Sequence, residues 1–480
     1  MANSSYKTLN PLHIALDGNH IIEASAGTGK TYNLTSIYTR LISEGRMLPE
    51  QILVVTFTEA ATDELREKLF ERLQVLRDFA IGTRNQEEDE FVYALVEKLT
   101  GGKPADSELI AHIEEAIRSF DEAAIHTIHS FCQKTLVDFA FLSGAGFDTD
   151  ILPDESELFQ ESADDFWRSY QKQFSNQQSP FWIPYLMDAG YDPEQLKQKV
   201  GRHSSRLEEM SVIPGEESES IENLLNDFNE HVTEGTEIIE NSGDEARRLV
   251  LEAIERKVLH GGSYKKPKVD RAFALLDELA EHGFTRYLYN VLKGGSEQEK
   301  LLRLLKGTHL EAKTNKKHQG DTPEHALFNW MDALYEFQNR FREAEYSFLK
   351  EAMRQIRGRL ATKKRQSGVR GYDDLLHDLD FALNQGGTGG RLASEIRQSY
   401  NAALIDEFQD TDQVQYRIFN KIYGEEGDGD TALFLIGDPK QSIYGFRGAD
   451  IQTYLKAREQ TSQENRHQLN QNWRTISELI

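Results

Sequence analysis

The run Ile21-Ile22-Glu23-Ala24-Ser25-Ala26-Gly27-Thr28-Gly29-Lys30-Thr31 leaves this chain few folds to choose from. An apolar strand enters a glycine-rich turn, and Thr31–Ile42 continues with helical spacing. Glycines let the backbone curl so that its N–H groups converge on an anion. The start of a helix adds the positive end of its dipole at the same place. Lys30 is then placed to reach the β- and γ-phosphates of a nucleoside triphosphate, and the Thr31 hydroxyl to coordinate Mg²⁺. Ala24, Ser25, Ala26, Gly27, Thr28, Gly29, Lys30 and Thr31 are therefore the expected cradle for ATP and Mg²⁺, with Ala24 where this pattern usually opens on glycine.

A strand–loop–helix of this kind needs a parallel sheet around it, and the rest of the chain supplies one. Ile52–Phe57 is a β-branched run followed by helical Glu59–Phe79. Ala123–His126 is a short strand before helical Ser130–Phe139, and Ala402–Asp406 and Ala432–Gly437 read as buried strands. Between them, about 150–395, helix formers dominate and β-branched runs are few. The fold expected is α/β: a phosphate-loop parallel-sheet domain over 1–145 and 391–480, interrupted by a mostly helical insertion over 146–390. Gly386–Gly390 reads as a flexible break before the sheet resumes. Inside the insertion, basic clusters at Lys265–Lys268, Lys313–Lys317 and Arg354–Arg365 serve either as solvated faces or as contacts to a nucleic-acid backbone.

A phosphate loop requires a second carboxylate for the metal and a base for the water. Leu404-Ile405-Asp406-Glu407-Phe408-Gln409-Asp410 ends an apolar strand with both, Asp406 for the metal and Glu407 for the water. Adjacent acids also end ordinary strands; pairing with the loop is what selects the chemical reading. Gln441 follows another strand as a neutral polar group suited to the γ-phosphate. Tyr444 and Phe446 are either core rings or stacking surfaces for unpaired bases. Arg474 is either an isolated surface arginine or a cationic finger acting in cis on the transferred phosphoryl group.

Composition sets limits. With 480 residues the chain is too long for one ordinary domain. The single cysteine, Cys132, excludes an internal disulfide framework and fits a reducing cytoplasm. No apolar stretch approaches the ~18 residues of a membrane span, and Met1–Lys7 lacks the charged and apolar regions of a secretory signal. The net charge of −25 opposes a nucleic-acid partner for the surface as a whole, though not for a local groove.

Taken in order, Ala24–Thr31, Thr56–Ala61, His126–Phe131, Asp406–Asp410, Gly437–Ala449 and Asn472-Trp473-Arg474 resemble the motifs of the superfamily 1 helicases of the UvrD/RecB group. Their wording is closest to the RecB-like helicase-nuclease subunits of exodeoxyribonuclease V, with AddA-like helicase-nucleases as the nearby alternative. Tyr372–Leu376 also resembles a segment that precedes the acidic motif in this group. The resemblance implies a RecA-like domain 1A carrying an inserted domain 1B, and 3′→5′ movement on DNA in double-strand break repair. It implies ATP-site roles for Lys30, Thr31, Asp406, Glu407, Gln441 and Arg474, and contacts to single-stranded DNA for Phe57, Thr58, His129, Tyr444 and Phe446. RecC-like and RecD-like subunits are the implied partners, with no membrane role. Many relatives place a base-reading Gln upstream of the loop; here His13 stands at that place. Neither a second RecA-like domain nor a nuclease domain has a counterpart before Ile480, so the expectation is the N-terminal part of a longer motor.

Overall fold

The computed structural model describes residues 6–25, 27–84, 88–143, 150–175, 181–201, 219–282, 288–424, 431–441 and 451–470. The chain divides into two compact units, one formed by 1–153 with 368–480 and the other by 154–367.

The first unit is built on strands β1 (Lys7–Thr8), β2 (Gly18–Ala24), β3 (Ile52–Thr56), β4 (Ile125–Thr127), β5 (Asp150–Ile151), β6 (Val369–Arg370), β7 (Ala402–Ile405), β8 (Ala432–Gly437) and β9 (Arg466–Leu469). Seven of them form one sheet in the order β1-β9-β2-β8-β7-β3-β4, while β5 pairs with β6 apart from it. Every pairing within the large sheet is parallel. Parallel strands need crossovers, and the crossovers put helices on both faces. That is why β3, β7 and β8 are buried along their whole length rather than at alternate residues.

Alternation survives as a division between two cores. Along β3, Ile52 and Val54 join the core on one face, and Leu53 and Val55 the core on the other. Ala432, Phe434 and Ile436 of β8 take the first face, and Leu433 and Leu435 the second. The first face is covered by α1 (Lys30–Ser43), α2 (Glu59–Ala80), α3 (Glu90–Thr100) and α4 (Ser107–Arg118). In α2, Leu65, Leu69, Leu73 and Leu76 form the buried stripe at helical spacing, and Thr58 caps its start by accepting the Ala61 N–H at 3.2 Å. The second face is covered by α5 (Ile128–Asp138) and by the helices at 372–384, 388–399, 413–423 and 451–460. Gly386–Gly390 is not a flexible break. Gly387 turns the chain at φ 84°, and Thr388-Gly389-Gly390 form the first turn of the helix Thr388–Ser399. Gly389 lies so close to the Leu383 carbonyl that a Cβ would stand 2.2 Å from its oxygen, so its role is close packing.

The regular structure of residues 154–367 is helical in their described parts, with turns and loops between the helices and an isolated bridge between Leu259 and Thr314. Long helices at Ile221–Glu255 and Ala326–Ser367 carry a core rich in aromatic residues, including Phe166, Trp182, Phe228, Phe341 and Phe348. Gly235 faces Trp330, whose indole N–H donates to the His231 carbonyl at 2.8 Å. Among the described residues, no helix is long and apolar enough to cross a membrane.

Two predictions follow from this packing. A Cβ at position 235 would stand 2.0 Å from the Trp330 ring. Gly→Ala within a helix ordinarily stabilises by about 1 kcal/mol, but Gly235→Ala is expected to destabilise by about 1–3 kcal/mol through overpacking. A thermal midpoint equal to or above that of the unmodified protein would contradict this. The second prediction concerns the buried pair His20 on β2 and His467 on β9. His20 Nε2 donates to the Asp17 carbonyl at 2.8 Å, which leaves Nδ1 to accept from His467 Nε2–H at 3.4 Å. Burial lowers the affinity of both rings for protons, pushing His467 down to about 4. A depressed histidine adds stability above its unfolded value near 6.5, and that stability is lost as pH falls toward the folded value. Urea unfolding should therefore show His467→Asn losing on the order of 1–2 kcal/mol less than the unmodified protein between pH 7 and pH 5; equal losses would refute the assignment.

Candidate active site

The phosphate loop leaves β2 at its carboxyl end and enters α1. Gly27 and Gly29 hold φ 79° and 82°, a region closed to most side chains, so these two glycines are required where they stand. The loop is stapled locally: Thr28 N–H and Oγ1 both donate to the Ser25 carbonyl, at 3.1 and 2.6 Å. The Asn33 side chain returns to the Gly29 carbonyl at 2.9 Å.

The ladder then brings distant sequence together. Ile21 pairs with Leu435, and Leu435 with Ile405, so β7 ends beside Ile21 while β2 and β8 run on past it to Ala24 and Gly437. Asp406 follows β7 directly and donates its N–H to the Val55 carbonyl at 2.9 Å. Glu407 takes a left-handed conformation at φ 53°, uncommon for a non-glycine residue, which turns the chain sharply at the sheet edge. Lys30 crosses the end of β8 to meet these acids, pairing closely with Glu407 and standing 3.8 Å from Asp406 Oδ1. Burial pushes the Asp406 carboxyl above its ordinary range, with Lys30 opposing the rise and Glu407 adding to it. Asp410 is pushed up to about 6 by burial and by Glu407, and its Oδ1 has no hydrogen-bond partner among the described residues. The site carries more negative charge than Lys30 alone offsets, a setting that suits a cation.

Two residues that sequence reasoning leaves unmarked shape this edge. Gln409 is buried; its Oε1 accepts the Asp438 N–H at 2.9 Å. Its Nε2 therefore faces the acids, donating to Glu407 at 2.7 Å and to Asp410 at 3.4 Å. Asp438 in turn accepts from the Gln441 side chain at 2.5 Å. A polar chain thus joins Glu407 to Gln441 through Gln409 and Asp438. Gly437 makes room for it, since a Cβ there would lie 2.6 Å from Gln409 Oε1. The available signal was that Gln409 lies inside the acidic motif; its buried partner on β8 is visible only in three dimensions.

A cleft of about 1240 Å³ opens over the loop, lined by Gly27–Asn33, Glu407 and Gln441, and by Thr8, Leu9, Pro11, Tyr32, Glu90 and Asn470. Thr31 lines it, as do Ala24 and Ser25. His13 does not: it is exposed on a turn of which Pro11 faces the cleft. Among the described residues no three acidic, histidine or cysteine side chains converge as a metal cage. Thr31 and Asp406 fit Mg²⁺ as hard oxygen donors, with phosphate and water completing the shell in the usual manner of that ion.

Phe57, Thr58 and His129 leave the carboxyl ends of β3 and β4, whose ladder pairs Thr56 with Thr127. Phe57 and His129 are half-buried and Thr58 is exposed. The Tyr372 ring stands edge-on to His129 at 5.5 Å. The strand order puts β8 and β7 between β2, which enters the phosphate loop, and β3 and β4, which lead to these residues. Ala26, Tyr444, Phe446 and Arg474 lie outside the described residues.

Comparison with known proteins matches residues 6–462 to the UvrD/REP helicase N-terminal domain. The chain is similar to the RecBCD enzyme subunit RecB of Escherichia coli K12, with 33% identity over 99% of this chain and 38% of that protein. It is similar also to the subunit of the same name from Haemophilus influenzae, with 30% identity over 98% of this chain and 40% of that protein. The chain thus spans about two-fifths of the length of these relatives.

Crowding at the sheet edge gives a test. Gly437→Ala should cost about 1–3 kcal/mol of stability by displacing Gln409. In a Gln409→Ala background the side-chain clash is gone while the backbone nitrogens of Gln409 and Phe408 still stand 2.9 and 3.2 Å from the added methyl, so the double variant should lose less stability than the sum of the two single losses. Simple additivity would mean that Gln409 does not occupy the space Gly437 leaves.

Proposed function

The chain belongs to the UvrD/REP helicase family, and on that footing we propose that it is the N-terminal motor portion of a RecB-type DNA helicase subunit. In this reading the sheet unit is RecA-like domain 1A and the helical unit is domain 1B. The motor binds ATP with Mg²⁺, moves 3′→5′ along single-stranded DNA and acts in double-strand break repair with RecC-like and RecD-like partners in the cytoplasm. The relatives' printed names support the partner assignment.

The single observation that carries the nucleotide reading is Lys30 facing Asp406 and Glu407 across the end of β8. Bound Mg·ATP supplies the phosphoryl bond whose hydrolysis drives the cycle. Lys30 exchanges its carboxylate partners for phosphate oxygens, which frees Glu407. Thr31 and Asp406 hold the ion. Glu407, kept in place by Gln409, orients a water and takes its proton. Gln441, joined to the same polar chain, follows the γ-phosphate, and Arg474 offsets the charge that develops there. Phe57, Thr58 and His129, together with Tyr444 and Phe446, contact single-stranded DNA. The backbone bond between Asp406 and Val55 offers a short route from the acidic motif to the strand that precedes Phe57.

Lys30→Ala tests the central claim. Affinity for Mg·ATP, measured by calorimetric titration, should fall at least tenfold while the circular dichroism spectrum is retained. Unchanged affinity would remove the nucleotide reading.

A further inference from the structure

Glu59 is an exposed carboxylate directly after Phe57 and Thr58. A strand of DNA held by those two residues brings phosphates close to it, and like charges repel. An acid in the first turn of α2 is favoured by the helix dipole, but that does not account for where this side chain goes.

The Glu59 side chain reaches across to the end of the neighbouring strand. Thr127 Oγ1 donates to Glu59 Oε1 at 3.0 Å. Ser130 Oγ stands 3.4 Å from the same carboxylate oxygen and 2.9 Å from Thr127 Oγ1. Thr127 is buried, ends β4 and caps α5, its Oγ1 accepting the Ser130 N–H at 3.3 Å. A hydroxyl has one proton and two lone pairs. With the proton given to Glu59, the lone pairs of Thr127 remain for Ser130, so the cap of α5 and the first residue of α2 form one cluster.

On the β3 side the chain is held as firmly. Thr58 caps α2, and its carbonyl accepts from Thr62 Oγ1 at 3.1 Å. Thr56 and Thr127 are the last partners of the β3–β4 ladder. Beyond that pair, the Glu59 cluster joins the segment that carries Phe57 and Thr58 to the one that carries His129. A surface ordered before binding loses less entropy on binding than two segments that move independently.

We propose that Glu59 is a positioning residue for the path of single-stranded DNA. Acting through Thr127 and Ser130, it fixes the spacing between the residues after β3 and those after β4. The inference rests on the DNA contacts proposed above for Phe57, Thr58 and His129, and adds to them a residue that works through the protein and not on the strand. Its tie and its charge act on affinity in opposite directions, so the two are separable by substitution.

The test measures binding of a fluorescently labelled oligothymidylate by anisotropy, with thermal midpoints checking that each variant is folded. Glu59→Ala removes both the charge and the tie, and should weaken binding roughly fivefold, the factor that one hydrogen bond to a charged group supports. Glu59→Gln removes the charge but keeps an oxygen for Thr127, and should bind at least as tightly as the unmodified protein. Thr127→Val should weaken binding, and joined to Glu59→Ala it should add less than its separate effect, since both remove the same bond. If Glu59→Ala binds as tightly as the unmodified protein or more tightly, Glu59 is only a repelling charge and the inference is overturned. Equal weakening by Glu59→Ala and Glu59→Gln would also overturn it, because the tie would then not be what matters. If the unmodified protein does not bind the oligonucleotide, the DNA reading of Phe57, Thr58 and His129 falls, and this inference with it.

Discussion

The cleft depends on the register of four parallel strands. Because β2, β8, β7 and β3 are hydrogen-bonded in that order, with Ile21, Leu435, Ile405 and Val55 side by side, a lysine at the start of α1 lies within reach of carboxylates that follow it by more than three hundred residues. Parallel strands about 4.8 Å apart place β7 roughly 10 Å from β2, the span of a lysine side chain added to a short acidic one. A slip of one residue in either ladder would invert which side chains face each core and would carry Asp406 away from the edge. The alternate assignment of Ile52, Leu53, Val54 and Val55 to two separate cores guards against such a slip.

Around that edge the structure places charge and restraint together. Asp406, Glu407 and Asp410 crowd one lysine, and burial raises the proton affinity of Asp406 and Asp410. An acidic site that is short of positive charge suits a cation. The strained turn at Glu407 is held by the buried amide of Gln409, and the same amide ties the turn to β8. Gly437 is a consequence of that amide, since any side chain there would occupy its place. The geometry links the acidic motif to the segment carrying Gln441 without passing through a ligand.

Much of this architecture was legible in the sequence because its signals are local. Buried parallel strands are short apolar runs, so β2, β3, β7 and β8 stand out. The phosphate loop shows itself because a tight turn demands glycine at 27 and 29. Other features left no local mark. Lys7-Thr8 is too short and too polar to read as a strand, and it pairs with β9 only because the chain returns there at Arg466. The run at Gly386–Gly390 looks like a break by composition, yet close helix packing accounts for Gly389. His13 stands where many relatives place a Gln, yet it is exposed on its turn, while Arg40 holds the segment by its carbonyls at Pro11 and Ile14, at 2.9 and 2.7 Å.

By itself, the sequence determined the elements: a strand–loop–helix able to cradle phosphate, an acidic strand end, and a helical stretch between the two halves of a parallel sheet. These follow from backbone sterics and from the period of apolar residues, which act over a few positions. The tertiary structure alone decided which side chains share a site. It joined Lys30 to Glu407, set Gln409 between the acids and β8, turned His13 away and turned Tyr32 toward the cleft. Such contacts come from strand order and helix packing, which bring together residues whose separation along the chain carries no information about their distance in space.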